Sequence, residues 1–281
     1  MEEFFALIFF IPIGIAIFKE SLEKGFFQTG WGSLVFIFTL IWFFYEVPKN
    51  SQTSFSRTVL PAFLCLTIYS NSFKLIQLFN IPDYDRLLLS LDQFLFSTQP
   101  SLWLERANIS WLTDYLTVTY FLYYFYPLVL GVIFYSKKEW LILRKYAVTI
   151  VICFYIGYLG YVLIPAIGPR LYLPQQYKQE LKSSPFSLEL RHFLDKIQPT
   201  QRDCFASLHN AITLLVLIFA FRYHRKFFWS FLPFALGLFV GTIYLRYHYG
   251  VDLLAGWLLG LICFWKSADL NKWWEAKTSR L

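Results

Sequence analysis

The sequence predicts an all-α integral membrane protein, a polytopic bundle of about six to eight transmembrane helices with one amphipathic helix in the interface. Three observations carry that prediction. Hydrophobic residues make up 57% of the 281-residue chain and charged residues 15%, where a soluble domain carries about 25% charge. The apolar residues fall into runs close to the roughly 20 that a bilayer-spanning helix needs. The lysines and arginines gather in short loops between those runs, an orientation signal and not a nucleic-acid surface, despite a formal net charge of +7.

The runs follow in order. Residues 4–18 form a short first span; the opening Met1-Glu2-Glu3 lacks a basic stretch, so a retained helix is expected and not a cleaved leader. Residues 31–47 and 58–79 give two more. The segment 81–96 alternates polar and apolar residues at helical spacing but is too polar to span. It reads as a helix lying in the interface, followed by Pro100 and a second amphipathic piece around Trp103. Residues 111–135, 146–164, 208–221, 227–244 and 251–265 complete eight spans. The first and sixth are short, which leaves six or seven open. A long connection, 165–207, separates spans five and six.

Basic residues orient this array. Lys49 and Arg57, then Lys137, Lys138, Arg144 and Lys145, then Arg222, Arg225 and Lys226, then Lys266, Lys272, Lys277 and Arg280 share one side when eight spans are counted. That side is cytoplasmic by the positive-inside rule. Most tryptophans fall near span ends, as an aromatic belt does. Cys65, Cys153 and Cys263 lie inside apolar runs, and Cys204, in a loop, has no evident partner. No zinc-type spacing occurs, so neither disulfide nor metal is expected, and no cofactor.

Ionisable residues are scarce inside such a chain, which makes three clusters informative. In Tyr244-Leu-Arg-Tyr-His-Tyr-Gly-Val-Asp252, His248 and Asp252 are four apart and share one helix face. A carboxylate so placed holds one imidazole nitrogen and leaves the other free to react. Asp203-Cys-Phe-Ala-Ser-Leu-His209 sets a second histidine at the start of a span, where helix N–H groups favour phosphate. Ile164-Pro-Ala-Ile-Gly-Pro-Arg170 aims a guanidinium, whose paired N–H groups match phosphate oxygens. With eight spans all three clusters share the extracytoplasmic face. Each has a plainer reading: a helix-end pair, an N-cap by Ser207, a snorkelling arginine. His224, His192, Lys74 and Asp114 read as structural, with Lys74 facing the bundle or snorkelling and Asp114 opening its helix.

Taken together these residues resemble the type-2 phosphatidic acid phosphatase superfamily, and within it the inositol-phosphorylceramide synthase-like branch. The superfamily's Pro-Ser-x-His stands here as Ala206-Ser207-Leu208-His209, and its His-x-x-x-Asp as His248 to Asp252. Tyr-Leu-x-x-His-Tyr-x-x-Asp-x-x-Ala-Gly, Tyr244 to Gly256, and Asp-Arg-x-Leu-x-x-Leu-Asp, Asp85 to Asp92, are similar to the synthase-like branch. Leu163 stands where the superfamily has a lysine, Thr242 where it has an arginine, and Ala206 where it has a proline.

The resemblance implies a helical membrane core and metal-independent double displacement. It makes His248 the nucleophile, His209 the general acid and base, Asp252 the orienting carboxylate, and Arg170, Arg246 and Ser207 the phosphate ligands. The expected division is into N-terminal transmembrane helices (1–80), an interfacial amphipathic segment (81–110), a catalytic membrane core (111–270) and a cytoplasmic tail (271–281), with the resemblance covering about 81–265. The expected partners are a membrane phospholipid and a lipid alcohol or water, with no nucleic acid. Head-group transfer between lipids is favoured over hydrolysis of phosphatidic acid or isoprenyl diphosphate, and over a non-catalytic lipid transporter or scramblase.

Overall fold

Backbone amides out of reach of water must find partners within the chain, and each described apolar run meets this by coiling. The computed structural model describes residues 2–24, 30–46, 55–197 and 201–278; Val47, Lys49 and Arg280, used above for a span end and for orientation, lie outside them. The helices are α1 (Glu2–Lys24), α2 (Gly30–Glu46), α3 (Phe55–Phe79), α4 (Asp85–Phe96), α5 (Pro100–Leu104), α6 (Ser110–Leu122), α7 (Tyr126–Ser136), α8 (Trp140–Leu163), α9 (Pro169–Tyr172), α10 (Pro185–Ile197), α11 (Leu208–Tyr223), α12 (Arg225–Tyr244) and α13 (Gly250–Thr278). No strand occurs among the described residues.

Three of these helices are long and apolar enough to cross a membrane: Trp140–Leu163, Arg225–Tyr244 and Gly250–Ser267. The pair α6 and α7, bent by 48°, makes a fourth if counted as one span. By that measure the expected six to eight are not reached. The helix α11 has 16 residues, about 24 Å at 1.5 Å each, against a hydrocarbon core of about 30 Å.

The expected single span 111–135 is broken at residues 123–125, where the backbone closes tight turns from Tyr123 to Tyr120 (3.3 Å) and from Phe125 to Leu122 (3.0 Å). Pro127 has no N–H to donate and its ring crowds the carbonyl four residues back, so the helix cannot run through.

The central helix is α11, packed against α8, α12 and α13. Ala211, Ile212, Leu215, Val216, Phe219 and Ala220 on it are fully buried. Gly256 lets α13 approach: a Cβ there would lie 2.4 Å from the Ser207 carbonyl oxygen. Helices α1 and α3 pack alongside α8, with α2 against α3, and Lys74 faces inward, bonded to Glu20 and, at 3.1 Å, to Ser33 Oγ.

Two outer helices carry large apolar side chains on their exposed faces. On α4, Asp85, Leu88 and Asp92 are buried while Leu87, Phe94 and Leu95 are exposed, the arrangement of a helix with lipid at its outer face. The second, α10, lies within what the sequence reading treated as connection. Its inward face, Ser187 and Leu194, is fully buried, and Phe186 and Phe193 stand outside.

Candidate active site

The helix α4 acts as the fastener of the site. Asp85 and Asp92 are two turns apart, so they share a face. Asp92 accepts the N–H groups of Gly250 (2.9 Å) and Val251 (2.7 Å), capping α13 from another part of the chain. Asp85 accepts from the N–H groups of Ile167 (3.0 Å) and Gly168 (2.9 Å) and from the Tyr249 hydroxyl (2.9 Å). Burial pushes both carboxyls up, Asp92 to about 6, against the pull of the N–H bonds.

Two motif loops are thereby pinned to each other. Gly168 adopts φ 81° and ψ 164°, a region that is essentially glycine-only, and a Cβ there would sit 2.5 Å from the Tyr247 carbonyl oxygen. The Arg170 N–H donates to the Arg246 carbonyl (2.8 Å). Arg246 itself is held in the left-handed region at φ 67°.

This frame brings His248, His209 and Asp252 together in the buried interior. The ring nitrogens His248 Nε2 and His209 Nδ1 are 3.3 Å apart. His248 Nδ1 lies 3.5 Å from Asp252 Oδ2, longer than a strong charge-assisted hydrogen bond. Cys204 sits between them: its thiol donates to Asp252 Oδ2 (2.8 Å), and its sulfur is 3.6 Å from His248 Nδ1. The Tyr249 N–H donates to the same carboxylate oxygen (2.9 Å). His209 is gripped by the rings of Tyr120 and Tyr123, with centroids at 4.6 and 4.4 Å. Its Nε2 is buried with no hydrogen-bond partner, as is Asp252 Oδ1.

A cavity of about 20 Å³ opens onto both histidines and is lined also by Tyr120, Arg170, Asp203, Cys204, Arg246 and Tyr247. That is room for about one water, less than a phosphoryl group needs. Both arginines are engaged by the protein's own groups. Arg170 Nη1 lies 2.7 Å from each carboxylate oxygen of Asp195 on α10, and its guanidinium is over the Tyr247 ring at 4.7 Å. Arg246 donates to the Gln179 carbonyl (2.8 Å) and Glu105 (3.3 Å) and stacks on Tyr177 at 3.7 Å.

Five of the six expected site residues thus converge. Ser207 does not. It is fully buried, lines no part of the cavity, and its hydroxyl accepts from Asn210 Nδ2 (2.8 Å). Nor does that hydroxyl cap α11. Its backbone does the work instead, the Ser207 N–H donating to the Asp252 carbonyl (3.2 Å) and tying α11 to α13.

Sequence reasoning missed Cys204 and Asp203. The Asp203 carboxylate accepts from the Tyr69 hydroxyl (2.7 Å) on α3, and burial raises its pKa. Both residues stand inside the motif that carries His209, which was the available signal. Cys204 Sγ, His248 Nδ1 and Asp252 Oδ2 also lie within 4.8 Å of one another, close enough to share a metal ion, a grouping that spacing along the chain does not display.

A family model described as the PAP2 superfamily matches residues 86–266, the stretch that holds both histidines, Cys204, Asp252 and both arginines. No curated protein and no solved structure matches the chain.

Proposed function

The chain belongs to the PAP2 superfamily, and from that premise we propose that it moves a phosphate-containing head group from a phospholipid to a lipid alcohol through a phospho-histidine. Membership implies phosphatase or phosphotransferase action on lipids; the acceptor, the intermediate and the roles that follow are our reading. The observation that carries it is His248 Nε2, 3.3 Å from a second histidine in a cavity that two arginines line.

In this scheme His248 Nε2 attacks phosphorus, and the phosphorus–oxygen bond to the departing alcohol breaks. Arg170 and Arg246 leave Asp195 and Glu105 to hold the phosphoryl oxygens as charge develops. His209 hands a proton to the departing oxygen, then takes one from the acceptor hydroxyl as it attacks the phospho-histidine. The tyrosine rings around His209 fix its plane. Asp252 balances the imidazolium that forms on His248, with Cys204 and the Tyr249 N–H fixing the carboxylate.

Transfer is favoured over hydrolysis by the exposed apolar side chains Leu87, Phe94 and Leu95 on α4, the helix that pins the site, which suit a lipid acceptor arriving from the membrane. Leu163, standing where the superfamily has a lysine, is mostly exposed and brings no further cation. A phosphodiester, with less charge than a phosphomonoester, needs fewer. We propose further that α1, α2, α3, the α6–α7 pair, α8, α11, α12 and α13 all cross the membrane. The site then lies on the extracytoplasmic face, with α4, α5 and α10 as its roof.

The test is turnover of labelled phosphatidylinositol, phosphatidic acid and isoprenyl diphosphate by the purified protein, with and without ceramide or diacylglycerol. A head-group transfer product is expected. Rapid release of inorganic phosphate from phosphatidic acid, with no transfer product from any lipid alcohol, would make the protein a phosphatase.

A further inference from the structure

The reaction uses Nε2 of His248 and leaves the far side of the ring to a buried thiol. There Cys204 Sγ, His248 Nδ1 and Asp252 Oδ2 form a triangle with sides of 2.8, 3.5 and 3.6 Å. We propose that these three atoms are a binding site for a thiophilic divalent cation, Zn²⁺ or Cd²⁺, and that occupancy switches the enzyme off; the second half rests on His248 being the nucleophile.

The geometry fits the ion. Zinc bonds of about 2.3 Å to sulfur and about 2.0–2.2 Å to nitrogen and oxygen give tetrahedral edges of about 3.3–3.7 Å. Two sides of the triangle already have that length. The third, Cys204 to Asp252, is short because a thiol proton bridges it, and it opens by about 0.7 Å when a cation takes the proton's place. A thiolate with an imidazole selects Zn²⁺ or Cd²⁺ over Mg²⁺ or Ca²⁺. The orienting shell exists, since the Tyr249 N–H holds the ligating oxygen of Asp252. Asp252 Oδ1, buried without a partner, leaves that carboxylate a second oxygen for the ion. Cys204 and His248 both line the cavity, which gives the cation an entry and its fourth ligand, a water.

The step balances without redox change. The S–H bond of Cys204 breaks, a sulfur–metal bond forms, and the proton leaves to solvent. His248 then binds through Nδ1, and a neutral imidazole so bound carries its proton on Nε2. The lone pair that attacks phosphorus is gone, and His209 Nδ1, 3.3 Å away, faces a donor. Raising the substrate concentration does not restore it.

The experiment titrates Cd²⁺ into the chelator-treated, detergent-purified full chain and follows the ultraviolet thiolate-to-cadmium charge-transfer band together with metal uptake by equilibrium dialysis. One equivalent and a saturable band are expected in the wild type, in Cys153→Ala and in Cys263→Ala, and neither in Cys204→Ala. Zn²⁺ should inhibit turnover reversibly, chelator should restore it, and Cys204→Ala or Cys204→Ser should need at least about tenfold more Zn²⁺ for half-inhibition of its own metal-free rate. A band that persists in Cys204→Ala, or no equimolar uptake by the wild type, overturns the site. Equimolar uptake with undiminished turnover overturns the switch and removes His248 Nε2 as nucleophile, while leaving the binding site standing.

Discussion

Replacing Gly168 with alanine tests whether the pinning of the two motif loops governs the chemistry. The native φ of 81° and ψ of 164° lie where a residue with a Cβ loses about 1–3 kcal/mol. The new Cβ would meet the Tyr247 carbonyl oxygen at 2.5 Å, so one of them must retreat by about 0.8 Å to recover a C···O contact of about 3.3 Å. Tyr247 adjoins His248, and the same loop carries Arg170. A misplacement near 1 Å at reacting groups costs about 100-fold, so kcat/KM should fall roughly ten- to hundredfold, about 1.4–2.7 kcal/mol of barrier. The assay is turnover of whichever labelled lipid the wild type uses, with the maleimide reactivity of Cys204 as a structural readout. Cys204 Sγ is 3.5 Å from that Cβ position and 3.5 Å from the Tyr247 carbonyl, and it is buried, so displacement should expose it. Turnover within about twofold of wild type, with Cys204 still protected, would refute the idea that this contact positions the site.

His248→Ala should abolish turnover in protein that still inserts and folds; activity within about tenfold, roughly 1.4 kcal/mol, would remove His248 from the mechanism. Burial raises the Asp92 pKa from 3.8 to about 6 in the folded protein, so the folded state holds the extra proton between those values and stability falls as pH rises through that window, then levels off. Asp92→Asn should make the decline in melting midpoint from pH 4 to 6 shallower in detergent; an unchanged slope would show that this carboxyl is not the buried acid. Cysteines at the exposed positions Lys138 and Lys226 should label from the cytoplasm and one at exposed Lys178 from the opposite side. Labelling of all three from one side would contradict the proposed topology.

The sequence by itself determined what depends on near neighbours and on solvent. Apolar runs of helix length, charged loops between them and an amphipathic segment at 81–96 are legible because burying apolar side chains and satisfying the backbone act along a single helix. The histidine and aspartate at 248 and 252 were legible for the same reason, since helix geometry places residues four apart on one face. Even the aspartates at 85 and 92 show their shared face, though not what they hold. Their partners are backbone amides 83 and 158 positions away, and only the packing of α4 against α13 and against the loop after α8 brings those into reach. Tertiary structure alone put Cys204 between His248 and Asp252, turned Ser207 away from the cavity, and closed Arg170 and Arg246 onto Asp195 and Glu105. Each of these outcomes depends on distances of a few tenths of an ångström between side chains far apart in the chain, and no local period encodes such a distance. The break after residue 122 lies between the two cases. Pro127 stops the helix by a local rule that the unbroken apolar run 111–135 masks, and only the tertiary structure set Tyr120 and Tyr123 around His209.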